Sequence, residues 1–370
     1  MFFKVLSALF AAIWSVICSF FPTFNFQITV NPAVFDCGNE YYSVIWATSA
    51  KGSGYIEYTV DGEVKRIYDA SSGLIKTDDT IHTVTVPKSE LNGNSYKVGS
   101  QYVAFKYGYS AIKGKTVESD TYNFKGIPEE DDIKLLSISD IHGMEAQMYQ
   151  SLSYFTDSPD ILILLGDIVS TMETKNDFCT VLKDAADLSK SEIPVVYTRG
   201  NHETRGEFAS QALRYFSFET GEYYYTFDFG PLSAVVIDSG EDKKDSDPGY
   251  DGLVDFNSYR EKEYNWLCSL DADEFSDAMY RITFSHMPRL SDHFGKDWTA
   301  PLLSLDMDLL VGGHHHKSEF VDGDLPVFID CGKNTSAVWA ASMLTLKDGT
   351  IRMLTIDISG NTLLDKTITL

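Results

Sequence analysis

The sequence predicts two folded regions, an antiparallel β-sandwich at residues 24–127 and a larger α/β domain at residues 128–370. Three observations support this prediction. The first region has short alternating runs between turn residues and lacks helical periodicity. The second region repeats an apolar run that ends in polar residues, with helix-like segments between several of the runs. The length of 370 residues also exceeds that of one average domain.

The N-terminal segment, residues 1–23, is predicted to be a secretory signal peptide or an uncleaved signal anchor. Lys4 is its only charged side chain, and the run from Val5 to Phe21 carries no charge. A buried N-terminal helix is the alternative interpretation. We therefore expect an exported protein, secreted or membrane-anchored, that contacts a membrane only through this segment if the segment is not cleaved.

The charge of the chain limits its partners. The formal net charge of −24 repels nucleic-acid backbones, so nucleic-acid binding is not expected. A small phosphorylated substrate remains compatible with this charge, because bound metal ions reverse the potential locally.

The predicted sandwich consists of short strands. The runs "YYSVIWATS", "GYIEYTVDG", "HTVTVP" and "SYKVGSQYVAFKYGY" are rich in β-branched and aromatic residues and are separated by Gly, Asn, Asp and Lys. The acidic, Pro-containing stretch "KGIPEEDD" at 125–132 follows as a linker.

Five apolar runs of the second region end in polar residues. They are "IKLLSISDIHG", "DILILLGDIV", "IPVVYTRGNHE", "YRITFSHMP" and "MDLLVGGHHH". Uninterrupted apolar runs are typical of strands buried on both faces, and ligands bind beyond the carboxyl ends of such strands. Helices are expected in "GMEAQMYQSLSYFTD", "DFCTVLKDAADLSKS" and "NSYREKEYNWLCSL", and β-hairpins at the C-terminus.

The polar ends of these runs carry metal-binding side chains. They are Asp140, His142, Asp167, Asn201, His202, His286 and the histidines 314–316. On extended backbone, residues at i and i+2 face the same side, so Asp140 would pair with His142, and His314 with His316, while His315 points away. Mixed imidazole and carboxylate donors favour Zn, Fe or Mn. One such end alone is common by chance, but five in order predict a metal site.

The ordered series D-x-H, G-D, G-N-H-E, H and G-H-x-H resembles the calcineurin-like metallophosphoesterase superfamily over residues 133–333. This resemblance implies a four-layer α/β/β/α catalytic fold. The preceding β-sandwich is similar in position and texture to the fibronectin III-like N-terminal domain of purple acid phosphatases.

The resemblance also implies a binuclear site with two divalent or trivalent ions. One ion would be held by Asp140, His142 and His316, the other by Asn201, His286 and His314, with Asp167 bridging them. A hydroxide shared by the ions would attack phosphorus. His202 would protonate the leaving group or stabilise phosphoryl charge, and an orienting role is the alternative.

The chain departs from the purple acid phosphatases at two positions. Ser170 stands where those enzymes have a metal-binding Tyr, and His142 is present where they lack a His. A purple charge-transfer colour is therefore not expected.

Candidate substrate residues flank Asn201 and His202. Arg199 and Arg205 could each bind a phosphate with a guanidinium fork, and a structural salt bridge is the alternative for each. His82 and His293 match no motif and are expected to be structural or surface residues.

The function predicted from these residues is hydrolysis of phosphate esters, with monoesters as the first class. The alternative activity is a phosphodiesterase for cyclic or linear nucleotides, because the same metal core serves both reactions. A non-enzymatic binding module is the remaining alternative; every expected ligand position is filled, which favours an enzyme.

Overall fold

The computed structural model describes residues 25–71, 73–128, 131–290, 295–330, 332–333 and 339–370, with isolated positions of the N-terminal segment. Most of the predicted signal peptide or anchor at 1–23 lies outside the described residues. His293 lies outside them as well. No helix within the part of the chain that the structure describes is long and apolar enough to cross a membrane.

The N-terminal region is rich in β-strands, as the alternating runs predict. Strands β1 to β9 are Ile28–Asp36, Tyr41–Val60, Glu63–Tyr68, Ala70–Ser71, Leu74–Ile75, Asp79–Pro87, Ser95–Tyr107, Ser110–Glu118 and Tyr122–Asn123. A short helix, α1, spans Lys88–Leu91. Buried side chains from several of these strands form a core of their own, which includes Val34, Trp46, Ile56 and Val98.

Strand β2 differs from the sequence prediction, because the two strands expected at 41–49 and 54–62 are one continuous strand. Its first half pairs with β1 and β6, whereas its second half pairs with β3 and β7. Gly54 lies where the strand passes its neighbours closely, since a Cβ there would lie 2.6 Å from the Trp46 ring. The glycines that indicated a turn therefore allow close packing within a strand that joins two groups of strands.

The C-terminal region contains the remaining elements. Strands β10 to β22 are Asp132–Ile138, Ile161–Leu164, Val195–Tyr197, Tyr225–Phe229, Leu232–Ile237, Tyr280–Ser285, Leu309–Gly312, Glu319–Val321, Val327–Ile329, Gly332–Lys333, Trp339–Lys347, Thr350–Asp357 and Thr362–Thr369. Helices α2 to α6 are Glu145–Leu152, Lys175–Ser189, Ala209–Ala212, Phe256–Leu267 and Thr299–Ser304. The three predicted helices and the C-terminal hairpins are thus present.

The five apolar runs form parallel strands in two sheets. The first sheet has the order β22-β21-β20-β10-β11-β12-β1-β2-β7-β8 along its main path, and the second has the order β13-β14-β15-β16-β18-β17. β10, β11 and β12 are parallel neighbours in the first sheet, and β15 and β16 are parallel neighbours in the second. The polar residues that end the runs therefore lie at the carboxyl ends of strands in two sheets rather than one.

The two sheets pack face to face around the main core, and helices cover the second sheet on its other side. The main core combines Leu135 and Ile163 of the first sheet with Phe284 of the second. Along β14, Val236 belongs to this core, whereas Val235 belongs to a separate cluster with helices α5 and α6. Strands buried on both faces explain the uninterrupted apolar runs.

The N-terminal region is joined to the first sheet by a strand pair. β1 runs parallel to β12, with Phe35 opposite Val195, so one sheet continues through both regions. The hydroxyl of Tyr96 also donates to the carbonyl of Ser191 at 2.7 Å. The sequence pattern changes near residue 127, but the sheet is continuous across the two regions.

Candidate metal centre

Polar side chains follow the carboxyl ends of strands in both sheets and meet at one place. The first sheet supplies the ends of β10, β11 and β12, and the second supplies the ends of β15 and β16. Backbone hydrogen bonds tie these ends together, from Asp140 to Gly166 and from Gly313 to His286, each at 3.0 Å. The structure brings together all of the predicted ligand residues, namely Asp140, His142, Asp167, Asn201, His286, His314 and His316.

The backbone at these positions is not extended, which corrects the sequence argument. Positive φ angles of 47° to 66° occur at Asp140, His142, Asp167, His314 and His316. Non-glycine residues rarely adopt this left-handed conformation, and it is concentrated at functional sites. Side chains at i and i+2 therefore converge because of local left-handed turns, and not because of strand alternation.

The first group of candidate ligands is Asp140, His142 and His316. Asp140 is fully buried, and its Oδ1 lies 3.1 Å from Nε2 of His316 and 3.8 Å from Nε2 of His142. Oδ1 accepts no hydrogen bond from any described residue. Burial opposes ionisation of Asp140, but the two histidines hold its pKa below the usual range.

The second group is Asp167, His286 and His314, with Asn201 among them. Oδ1 of Asn201 lies 3.1 Å from Nε2 of His286 and 3.0 Å from Nδ1 of His314. Burial, and then the neighbouring His286, lower the pKa of His314 to about 4. His314 is therefore neutral at neutral pH, which is the form that binds metal ions.

Asp167 lies between the two groups. Its Oδ2 is 3.2 Å from Nε2 of His286 and 3.5 Å from Nε2 of His142. Nε2 of His202 is 3.9 Å from the same oxygen. One carboxylate oxygen thus reaches side chains of both groups.

The donor atoms of the second group fit a cation. Nδ1 of His286 donates to the carbonyl of Leu165 at 2.6 Å, so in a neutral ring the lone pair of Nε2 would face two further acceptors, Asn201 Oδ1 and Asp167 Oδ2. A proton on Nε2 or a bound cation relieves this contact between acceptors. Burial opposes protonation of His286, yet Asp167 and other acids outweigh it and raise its pKa to about 10. The protein therefore favours positive charge where these acceptors meet.

Residues 133–318 match the family model described as calcineurin-like phosphoesterase. The chain belongs to this family. Metallophosphoesterases bind metal ions, and the Asp and His groups described above are candidate ligands of this metallophosphoesterase.

Solved structures are similar to this chain at low sequence identity, and PhoD shows the same fold over most of it. PhoD is 12% identical with a TM-score of 0.53, and the alignment covers 92% of this chain and 88% of PhoD. GAP50, the anchor in the inner membrane complex of Plasmodium, is 14% identical, with 65% and 90% coverage and a TM-score of 0.49. The phosphopantetheinyl hydrolase of Mycobacterium tuberculosis is 13% identical, with 56% and 92% coverage and a TM-score of 0.37. A search of curated protein sequences returned no match.

The metallophosphoesterase site depends on a buried glutamate that the sequence analysis missed. Glu203 accepts the backbone N–H groups of Asp167 at 2.8 Å, Gly200 at 2.9 Å and Val169 at 3.1 Å. Burial, and then the charge of Asp167, raise the pKa of Glu203 to about 7. The only signal for this role in the sequence is its position directly after Asn201 and His202.

A second missed residue is Glu241, which follows β14. Its Oε1 accepts a hydrogen bond from Nδ2 of Asn201 at 3.4 Å, which leaves Oδ1 of Asn201 directed at the histidines. Glu241 also accepts hydrogen bonds from both Nε and Nη2 of Arg205, at 2.6 Å and 2.7 Å. No local sequence pattern connects Glu241 to Asn201, because the contact is made only by the tertiary fold.

His202 is held by two directed contacts. Its Nδ1 donates to the carbonyl of Ser170 at 2.7 Å, and its Nε2 lies 3.0 Å from Nη1 of Arg205. A guanidinium only donates, so Nε2 accepts and the ring is neutral. Burial is the largest effect that lowers the pKa of His202, and the charges of Arg205 and His142 add to it.

The two candidate arginines have different positions. Arg205 contacts His202 and is partly exposed at the site. Arg199 instead forms a buried ion pair with Asp238 at 2.6 Å and packs against the ring of Tyr223. The structural salt bridge, which was the alternative for both residues, describes the contacts of Arg199, and Arg205 also forms one, with Glu241, beside its contact with His202.

The histidine run at the end of β16 contains two kinds of residue. His314 and His316 each belong to a candidate metal group, whereas His315 belongs to none of the groups found among the described residues. Burial, and then His314, lower the pKa of His315 to about 4. A Cβ at Gly313 would lie 2.7 Å from Oδ2 of Asp140, so glycine permits the close approach.

Proposed function

We propose that this metallophosphoesterase is an exported hydrolase of phosphate esters, with monoesters as its preferred class. The observation that carries the proposal is the position of Asp167 between two groups of ligand side chains. A carboxylate shared by two such groups is suited to a site for two metal ions.

Each ion would take three ligands beside Asp167. One ion would be held by Asp140, His142 and His316, and the other by Asn201, His286 and His314. The mixed imidazole, amide and carboxylate donors favour Fe, Mn or Zn. Two bound ions would neutralise phosphoryl charge and lower the pKa of water at the site.

His202 and Arg205 act on the substrate in this proposal. While Arg205 donates to Nε2 of His202, that nitrogen has no proton to give. A phosphoryl oxygen that accepts the Arg205 hydrogen bond would free Nε2 to take up a proton from solvent, which the ring would then give to the leaving oxygen. The guanidinium also offsets the second negative charge of a monoester, which a diester lacks.

Export is proposed from the uncharged run at 5–21, and the N-terminal β-rich region is proposed to resemble the fibronectin III-like domain of purple acid phosphatases. Fractionation of cells that express the full chain tests export. Recovery of the protein in the soluble cytoplasmic fraction would contradict it.

A paired substrate assay tests the activity. The purified full chain, loaded with Mn, Zn or Fe, is expected to hydrolyse p-nitrophenyl phosphate faster than bis-p-nitrophenyl phosphate. Asp167→Ala serves as the inactive control. Faster hydrolysis of the diester would replace the monoester proposal with the phosphodiesterase, and hydrolysis of neither compound with any metal would refute both.

A further inference from the structure

The hairpin formed by β7 and β8 exposes apolar and aromatic side chains at its end. Tyr107, the last residue of β7, is 78% exposed, and Tyr109, within the turn, is 98% exposed. Phe105 and Ile112 lie opposite each other on the two strands, and each is about half exposed. Exposed apolar groups clustered in this way mark an interaction surface. We call residues 105–112 the hairpin tip.

The hairpin is cationic within a strongly acidic protein. Lys106, Lys113 and Lys115 lie on it, and no Asp or Glu occurs from residue 100 to residue 117, although the whole chain carries a net charge of −24. Lys113 and Lys115 form no ion pair with any residue that the structure describes. The surface is therefore complementary to an anionic partner.

The chain enters the fold beside this hairpin. Phe26 is fully buried, and its ring packs against that of Tyr102 on β7 with centroids 5.6 Å apart. The uncharged run at 5–21 ends only five positions before residue 26, and five positions span at most about 18 Å. The hairpin tip begins three residues beyond Tyr102 along β7, and each residue of a strand adds about 3.3 Å. The tip and the entry point of the chain therefore lie on the same part of the N-terminal region.

We infer that the hairpin tip is a second membrane contact, which docks on an anionic bilayer surface beside the N-terminal segment. Tyrosine rings suit the boundary between water and lipid because one end is apolar and the other polar. The lysines pair with anionic headgroups while their methylene stems cover apolar surface. This contact is independent of phosphoester hydrolysis and uses the proposed export only to place the chain at a membrane.

Hydroxyl-radical footprinting of tyrosine side chains tests the contact. The full chain is reconstituted in vesicles of phosphatidylcholine alone or of phosphatidylcholine with phosphatidylglycerol. We expect oxidation of Tyr107 and Tyr109 to fall at least about threefold in the anionic vesicles. Oxidation of Tyr154, which is 44% exposed in the C-terminal region, should be equal in both.

Charge reversal supplies the matched control. Lys113→Glu should return oxidation of Tyr109 to its level in neutral vesicles, whereas Lys190→Glu, at an exposed position of the C-terminal region, should keep the protection. Circular dichroism checks that both variants are folded. Equal oxidation in the two kinds of vesicle, or protection that depends on protein concentration and so reflects a second copy of the chain, would overturn the inference.

Discussion

Nη1 of Arg205 lies 3.0 Å from Nε2 of His202, while Nδ1 of the same ring donates to the carbonyl of Ser170. These two contacts hold the neutral ring in one tautomer and one orientation beside Asp167. A proton can therefore reach Nε2 only after the guanidinium has moved to another acceptor.

His202→Ala should retain the metal ions and lower kcat by about 10²–10⁴. Arg205→Lys should raise KM and should lower kcat less than His202→Ala does, because a lysine keeps the charge but loses the planar fork. Steady-state kinetics and metal analysis of the same samples measure both effects. Unchanged kcat in His202→Ala would contradict a role in proton transfer.

Asp167→Ala should lose both metal ions and all phosphoesterase activity, because one carboxylate serves both groups. Elemental analysis after dialysis gives the number of bound ions per chain. Asp238→Asn is the control, since Asp238 is equally buried but pairs with Arg199 and belongs to no candidate metal group among the described residues. Retention of one full equivalent of metal in Asp167→Ala would show that Asp167 does not bridge.

His315→Ala should bind two ions. His314→Ala and His316→Ala should each lower the affinity for one ion by at least about 10²-fold. The reason is that His315 lies outside the candidate groups while its two neighbours belong to one each. Isothermal titration with Zn or Mn distinguishes the three variants. Loss of both ions in His315→Ala would mean that the assignment of these histidines is wrong.

Asp184 should make the stability of the protein pH-dependent. It is 2% exposed on α3, its Oδ2 has no partner among the described residues, and burial and then Glu145 raise its pKa to about 7. A raised carboxyl pKa favours the protonated folded state, so stability should decrease as the pH rises from about 4 to 7.

Asp184→Asn should remove this decrease and raise the free energy of unfolding at pH 8 by about 1–3 kcal/mol. Urea denaturation at pH 5 and pH 8 measures the difference. Asp187→Asn is the control on the same helix, because Asp187 is more exposed and pairs with Lys183. Equal stability of wild type and Asp184→Asn at pH 8 would argue against an ionised Asp184.

The metal-loaded protein should show no intense visible absorption band, because Ser170 stands at the position where the purple acid phosphatases have a metal-binding Tyr. Ser170 contributes its backbone carbonyl to His202 instead. An absorption spectrum of the iron-loaded protein is sufficient. An intense visible band would mean that a tyrosinate binds the metal.

Local sequence patterns predict the order of the strands and of the candidate ligands in the C-terminal region. Strands buried on both faces must be apolar throughout, so the runs before Asp140, Asp167 and His286 are recognisable from local composition. The candidate ligand side chains stand at the ends of such strands, so the sequence predicts their residue types and their order. The α/β fold and the candidate metal residues follow from these local constraints.

How these strands and side chains meet is visible only in the tertiary structure. The continuity of β2 through Gly54, the pairing of β1 with β12, and the left-handed backbone at His314 depend on contacts between distant residues. The same is true of the carboxylates that support the site, since Glu241 reaches Asn201 across 40 positions of sequence. Local composition carries no record of such contacts, because their energy comes from packing and hydrogen bonds formed after the chain has folded.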